Sequence, residues 1–156
     1  MTRSPDNPCD TQSGARAWTD TKCFSTSVRR ADRILSRVYD DALRPTGLVT
    51  TQYSLLTLIA RAPADISLGD LADAQAMDRT TLTRNLKPLV RDGYIVIEPG
   101  EDRRVRTVRI TGEGRAVLKQ ARPLWASAQE RIANEQGLTQ MDHLLDELAD
   151  LVSRVR

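Results

Sequence analysis

With 156 residues and a net charge of +2, the chain is one domain or one domain with extensions, and a domain of that size buries roughly 70% of its unfolded surface without cross-links. Six aromatic residues among 156 leave the core to Leu, Ile, Val and Ala, and two cysteines (Cys9, Cys23) make no disulfide framework. No apolar run approaches the ~18 residues of a membrane span, and the polar start MTRSPDNPCDTQSG lacks a signal-peptide core, so a soluble cytoplasmic protein in a reducing compartment is expected.

Residues 1–16, rich in Ser, Pro, Asp, Asn and Gly, read as a flexible N-terminal arm. A helix is expected over about 21–44, because Val28, Ala31, Ile34, Leu35, Val38 and Ala42 recur at spacings of three and four. RPTG at 44–47 should end it, since Pro45 disfavours helical geometry at Arg44 and Gly47 permits a turn. A second, buried helix follows at about 50–61, enclosed by Tyr53, Leu55, Leu56, Leu58 and Ile59. Ser67-Leu-Gly-Asp70 reads as an N-cap with an acid three residues on, opening a short helix over about 67–74 with Leu68, Leu71 and Ala72 inward. Asp78 offers the N-cap of a helix over 79–91, which Gly93 should stop as a left-handed C-cap. Pro88 within it predicts a kink or an early end. Strands at Tyr94–Glu98 and Val105–Ile110 around PGEDR predict a β-hairpin, with Ile95 and Ile97 facing Val108 and Ile110. Thr111 should cap a long helix over about 113–136, bent or interrupted at Pro123, and Thr139 should open the last helix. That helix carries a stripe of Met141, Leu144, Leu145, Leu148, Leu151, Val152 and Val155.

The charge is unevenly placed. Residues 78–109 hold eight basic against five acidic side chains, a local +3, whereas residues 110–156 hold six against seven. On the helix over 79–91, Leu82, Leu86, Leu89 and Val90 form the inward stripe at 100° per residue, and Thr80, Arg84, Lys87 and Arg91 lie opposite. A recognition helix in the major groove needs one packing face and one face of small hydroxyl and basic residues. The hairpin that follows carries EDRRVRTVR, four arginines in nine residues. Placed along DNA, such a wing presents Arg to phosphates or to the minor groove, and Asp102 can brace an adjacent Arg at its tip by a charge-assisted bond. Helix, turn, helix and hairpin in this order predict a winged helix-turn-helix in a mainly α chain. A winged-helix module used only for protein–protein contact is the alternative, but it calls for a mixed or apolar outer face. A small hydrolase or transferase finds little support in one histidine, no Gly-rich phosphate loop and no nucleophile elbow. The lone His143 leaves no His/Cys cluster with metal-ligand spacing, and no cofactor is expected.

The stretch LGDLADAQAMDRTTLTRNLKPLVRDGYIVIEPGEDRRVRTVRITGEGRAVL resembles the DNA-binding core of the multiple antibiotic resistance regulator (MarR) family. DRTTLTR, RDGYI, the D-x-R of Asp102 to Arg104, and ITGEG carry the resemblance, which extends over about residues 21–155. It implies an obligate homodimer whose terminal helices interlock, binding a pseudo-palindromic double-stranded operator, usually as a repressor. On this reading residues 50–110 are the DNA-binding domain, and 17–49 with 111–156 form a helical dimerisation region. The resemblance makes Thr80, Thr81, Thr83, Arg84 and Lys87 the groove and phosphate contacts, and Asp102 and Arg104 the wing pair with Arg103 and Arg106 beside it.

The resemblance also implies a signal input, a small aromatic acid or thiol oxidation. Cys23 is similar in position to the reactive thiol of the family's organic-peroxide sensors, though about two residues further upstream, and Thr50 and Arg29 stand where two supporting tyrosines are expected. Lys22, Arg29 and Arg30 are near enough in sequence to lower a thiol pKa. Tyr39 and Tyr53 are candidates for an effector cleft, with core packing as the plainer reading. Trp18 and Trp125 read as packing or interface residues.

Overall fold

A computed structural model of the chain describes residues 23–100, 102 and 104–155. The expected N-terminal arm, Cys9 and Trp18 lie outside the described residues. Contacts group the chain into two units, residues 1–37 and 38–156. The first helix, α1 (Phe24–Leu43), begins in one and ends in the other. Within the first unit, Val28, Ile34 and Leu35 of the expected apolar stripe are exposed, as is Phe24.

The second unit holds the rest. After Leu43 a single 3-10 turn over Arg44–Thr46 closes on Gly47 at φ +73°, whose N–H donates to the Arg44 carbonyl at 3.1 Å. Helix α2 (Thr50–Arg61) follows, its start held from outside: Asp40 Oδ1 accepts both the Thr50 N–H and the Thr50 hydroxyl at 2.6 Å. Tyr53, Leu55, Leu56 and Ile59 are buried and Leu58 is partly so, as a helix ringed with apolar residues requires. Next come β1 (Ile66–Ser67), α3 (Leu68–Ala74), α4 (Arg79–Arg91), β2 (Ile95–Pro99), β3 (Arg106–Ile110), α5 (Gly112–Gln136) and α6 (Leu138–Val155).

The hairpin has the expected register, Ile95 opposite Ile110 and Ile97 opposite Val108, but β3 is also paired on its other side. Strand β1 joins it through Ile66↔Val108 and Ser67↔Thr107, giving an antiparallel sheet in the order β1-β3-β2. Two residues are too short for a period-2 pattern to register in the sequence, so this strand exists only because β3 offers an edge. Ser67 then serves a second purpose as the N-cap of α3. Its hydroxyl accepts the Asp70 N–H at 3.0 Å and donates to the Asp70 carboxylate at 2.7 Å, the exchange expected of SLGD.

Neither internal proline ends its helix. Helix α4 runs through Pro88 to Arg91, and α5 runs through Pro123 to Gln136. An interior proline costs about 3 kcal/mol, but burying each of Leu82, Leu86 and Leu89, all 1% exposed, contributes about 1.5–3 kcal/mol. Packing of the inward face outweighs the lost backbone bond. Helix α4 ends as expected on Gly93 at φ +73°, with Gly93 N–H to Val90 O at 3.1 Å and Tyr94 N–H to Leu89 O at 2.8 Å, a complete Schellman motif. Val90 departs from its expected inward place and is 43% exposed, because it stands at the edge of the leucine stripe.

Thr111 caps α5 by accepting the Gly114 N–H at 3.0 Å, while its hydroxyl donates to the Gly93 carbonyl at 2.7 Å. One side chain thus ties the start of the long helix to the exit of α4. The last helix begins two residues earlier than an N-cap at Thr139 implies: Gly137 ends α5, and Met141 N–H reaches back to its carbonyl at 3.0 Å. A continuous core joins α2, α3, α4, the sheet and the first half of α5, from Leu55 and Leu71 through Leu86, Val108 and Leu118. On α6, by contrast, Leu144, Leu145, Leu151 and Val152 are exposed. Among the described residues no helix is long and apolar enough to cross a membrane.

Candidate nucleic-acid interface

Helix α3, the turn over residues 75–78 and helix α4 form the helix-turn-helix. The turn is closed by Ala76 N–H to Asp73 O at 3.1 Å and Met77 N–H to Ala72 O at 2.9 Å, with Ala76 held at φ +48°. Asp78 then opens α4. Its carboxylate accepts the Thr81 N–H at 2.9 Å and the Thr81 hydroxyl at 2.6 Å. The Thr81 hydroxyl bond, followed by the Thr81 N–H, holds the Asp78 carboxyl below its ordinary range.

These bonds separate the five candidate residues of α4. The Thr81 hydroxyl is engaged by the cap, and the Thr83 hydroxyl donates to the Arg79 carbonyl at 2.7 Å. Each keeps only acceptor capacity for an outside partner. Thr80, Arg84 and Lys87 are exposed and have no side-chain partner among the described residues. Arg91 is different: its guanidinium grips Asp92 at 2.7 and 3.0 Å, which raises the basicity of one and lowers the pKa of the other. The free positive face of the helix therefore spans its first two and a half turns.

The wing tip is built from backbone. Gly100 N–H donates to Val105 O at 2.7 Å, Val105 N–H to Asp102 O at 2.8 Å, and Arg104 N–H to the Asp102 carboxylate at 2.9 Å. Asp102 does brace Arg104, but through the main chain and not through the guanidinium that a charge-assisted pair would use. The carboxylate shapes the turn and leaves the Arg104 side chain unengaged among the described residues. Arg103 lies outside the described residues. Arg106 donates to the Ile97 carbonyl at 3.3 Å, a neutral acceptor, so its charge is uncompensated among the described residues. Arg109 is neutralised instead, by Glu98 at 3.2 Å and Asp65 at 3.9 Å, and so belongs to the scaffold.

One basic residue escapes the sequence pattern. Arg79 lies about 60° from Leu82 on a helical wheel, which assigns it to the packing side of α4. At the first position of the helix no preceding turn covers it, and its side chain lines a cleft that also contains Arg104 and Arg106.

The signal candidates fall in different places. Cys23 is exposed, at the position before α1, where its carbonyl accepts the Ser27 N–H at 3.0 Å. Its thiol is held below the ordinary range by the Thr26 hydroxyl first and the Thr26 N–H second, not by the arginines nearby in sequence. Tyr39 and Tyr53 both stack on Trp125, at centroid distances of 6.1 and 5.7 Å. Tyr53 is buried, while half-buried Tyr39 donates its hydroxyl to Gln129 Oε1 and has its pKa raised by burial. The three rings pack α1, α2 and α5 together, the plainer of the two roles expected. His143 pairs with Glu147 at 3.2 Å on the exposed side of α6.

The model of the MarR family matches residues 46–105, from the turn before α2 to the wing tip. Among solved structures, the transcriptional regulator MosR of M. tuberculosis, crystallised in complex with DNA, is 35% identical at a TM-score of 0.76, covering 86% of this chain and 99% of that one. CouR of Rhodococcus jostii RHA1, bound to p-coumaroyl-CoA, shares the fold at a TM-score of 0.72 with 21% identity, covering 84% of this chain and 92% of that one. The transcriptional activatory protein BadR of Rhodopseudomonas palustris is 29% identical over 119 residues, 74% of this chain and 68% of BadR.

Proposed function

The chain belongs to the MarR family of transcriptional regulators, and on that premise we propose that it is a homodimeric repressor that binds a pseudo-palindromic operator in the cytoplasm. The observation that carries the reading is the exposed face of Thr80, Arg84 and Lys87 on α4, unpartnered among the described residues, beside a wing whose Arg104 and Arg106 meet no carboxylate among them. Such a surface is electrostatically complete only against a polyanion. The outer face is neither mixed nor apolar, as a purely protein-binding winged helix would need. Four exposed large apolar residues on α6, and separately four at the start of α1, supply the surface for a second copy. Two-fold symmetry then calls for two half-sites about one helical turn of DNA apart.

Arg84 in this reading contacts a base edge and Lys87 a phosphate, while Asp102 shapes the tip that Arg103, Arg104 and Arg106 carry to the backbone or minor groove. Release follows a small aromatic effector or oxidation of Cys23, whose lowered pKa favours the reactive thiolate. The solved relatives support the DNA partner, since MosR was crystallised on DNA.

The test is a selection of bound duplex fragments, followed by affinity measurements on the enriched sequence. Arg84→Ala should cost about 1–3 kcal/mol and relax preference at one base position, whereas Arg104→Ala should weaken all duplexes alike. A log K that stays flat against log[salt] would exclude DNA binding, because each phosphate neutralised contributes about −0.9 to that slope. Loss of binding on peroxide treatment that persists in Cys23→Ser would exclude Cys23 as the switch.

A further inference from the structure

Between the first turn of α4 and the tip of the wing lies a cleft of about 410 Å³. Arg79 lines it from the helix and Arg104 from the wing, with Ser67, Leu82, Thr83 and Arg106 also on its walls. Among the described residues no carboxylate lines it. The two hydroxyls donate elsewhere, Ser67 to the Asp70 carboxylate and Thr83 to the Arg79 carbonyl. Arg106 is tethered to the neutral Ile97 carbonyl at 3.3 Å, and Arg79 and Arg104 have no side-chain partner among the described residues. Arg79 and Arg104 thus bring two like charges to one cleft, where they repel each other, and a single anion between them removes that repulsion.

We propose that this cleft seats one backbone phosphate of bound DNA, with Arg79 on the helix side and Arg104 on the wing side. The proposal rests on the DNA-binding reading and adds to it a residue, Arg79, and a specific anion site. Guanidinium groups match phosphate oxygens in planar, paired geometry. A free phosphate offers the same chemistry, but a phosphodiester reaches the cleft already fixed to the duplex that α4 and the wing hold on either side. The phosphate then links recognition helix and wing through one strand, so that their relative pose is set by the DNA itself.

The test follows the salt dependence of binding to a random-sequence DNA duplex, for the wild type and three variants. Arg79→Gln should make the log K against log[salt] slope shallower by about 0.9, one phosphate fewer, while Arg79→Lys should keep the wild-type slope. Arg91→Gln removes the same charge from the far end of α4, where Asp92 already engages it, and should change the slope less. An unchanged slope in Arg79→Gln, or an equal change in Arg91→Gln, overturns the site. Thermal unfolding in sodium phosphate and in sodium chloride at matched ionic strength separates the two anion sources. Phosphate-specific stabilisation that disappears in Arg79→Gln, with the DNA slope intact, would make this a free-anion site and overturn the proposal. A flat slope in the wild type is a distinct result, since it removes the DNA-binding reading as a whole.

Discussion

Asp102 holds Arg104 by its backbone: the carboxylate accepts the Arg104 N–H at 2.9 Å and leaves the guanidinium unengaged among the described residues. The bond is a local side-chain-to-backbone turn of the kind that Asp and Asn both make. Asp102→Asn should therefore keep the wing and bind DNA nearly as the wild type does. Asp102→Ala should lose roughly 3–10-fold in affinity, the worth of one such hydrogen bond. Fluorescence anisotropy on labelled duplex decides it. Equal losses in both variants would mean that the negative charge matters and that the pair is guanidinium to carboxylate.

Gly114 sits where the first turn of α5 meets the exit of α4. A Cβ there would stand 2.1 Å from the Tyr94 carbonyl oxygen and 2.8 Å from Ile110 Cγ1, whereas a Cβ on Gly112 meets nothing within 4 Å. Backbone cannot yield as a flexible side chain does, so Gly114→Ala should destabilise by about 3 kcal/mol, the upper part of the overpacking range. Gly112→Ala should be neutral or gain up to about 1 kcal/mol from helix propensity. Thermal or urea unfolding of the two variants gives the comparison, and similar values for both would refute this packing.

Ala76 occupies the left-handed region at φ +48° in the turn between α3 and α4. An L-residue with a Cβ loses about 1–2 kcal/mol there, while glycine gives back about 0.5–1 kcal/mol in unfolded-chain entropy. Ala76→Gly should therefore stabilise by about 0.5–1 kcal/mol without altering DNA contacts. A lower melting temperature would show that the strain is not released by removing the Cβ.

The Asp78 carboxyl is held below its ordinary range by the Thr81 hydroxyl and N–H. A depressed folded-state pKa means stability that is present above the unfolded value and lost as pH falls through the folded one. The stability difference between wild type and Asp78→Asn should thus be constant near neutral pH and shrink only below about pH 4, the ordinary aspartate range. Melting temperatures across an acid series measure it. A difference that shrinks instead near pH 6–7 would point to some other group.

Local patterns carried much of this protein. SLGD, Asp78, Gly93 and Thr111 each make the cap their sequence context predicts, because a cap is decided within three or four residues. The hairpin register follows from alternating Ile and Val, and the outer face of α4 from a 100° wheel. Where several distant residues decide an outcome, the sequence was silent or misleading. Pro88 read as a kink or an early end and Pro123 as a bend or an interruption; neither helix ends there, because burial of leucines and alanines on the same helices outweighs the lost backbone bond.

What the sequence determined by itself is the set of helix starts and stops, the hairpin, and a basic face aimed away from a leucine stripe. Tertiary structure alone decided which of those charges stay free. Arg91 shares the outer face of α4 with Arg84, and Arg109 the arginine run with Arg104, but Asp92 neutralises Arg91, and Glu98 and Asp65 neutralise Arg109. Arg79, which the helical wheel turns inward, comes to face the wing across a shared cleft. Helical spacing and strand alternation are properties of neighbours along the chain. Charge compensation depends on distance in space, and only the packed sheet and helices set those distances.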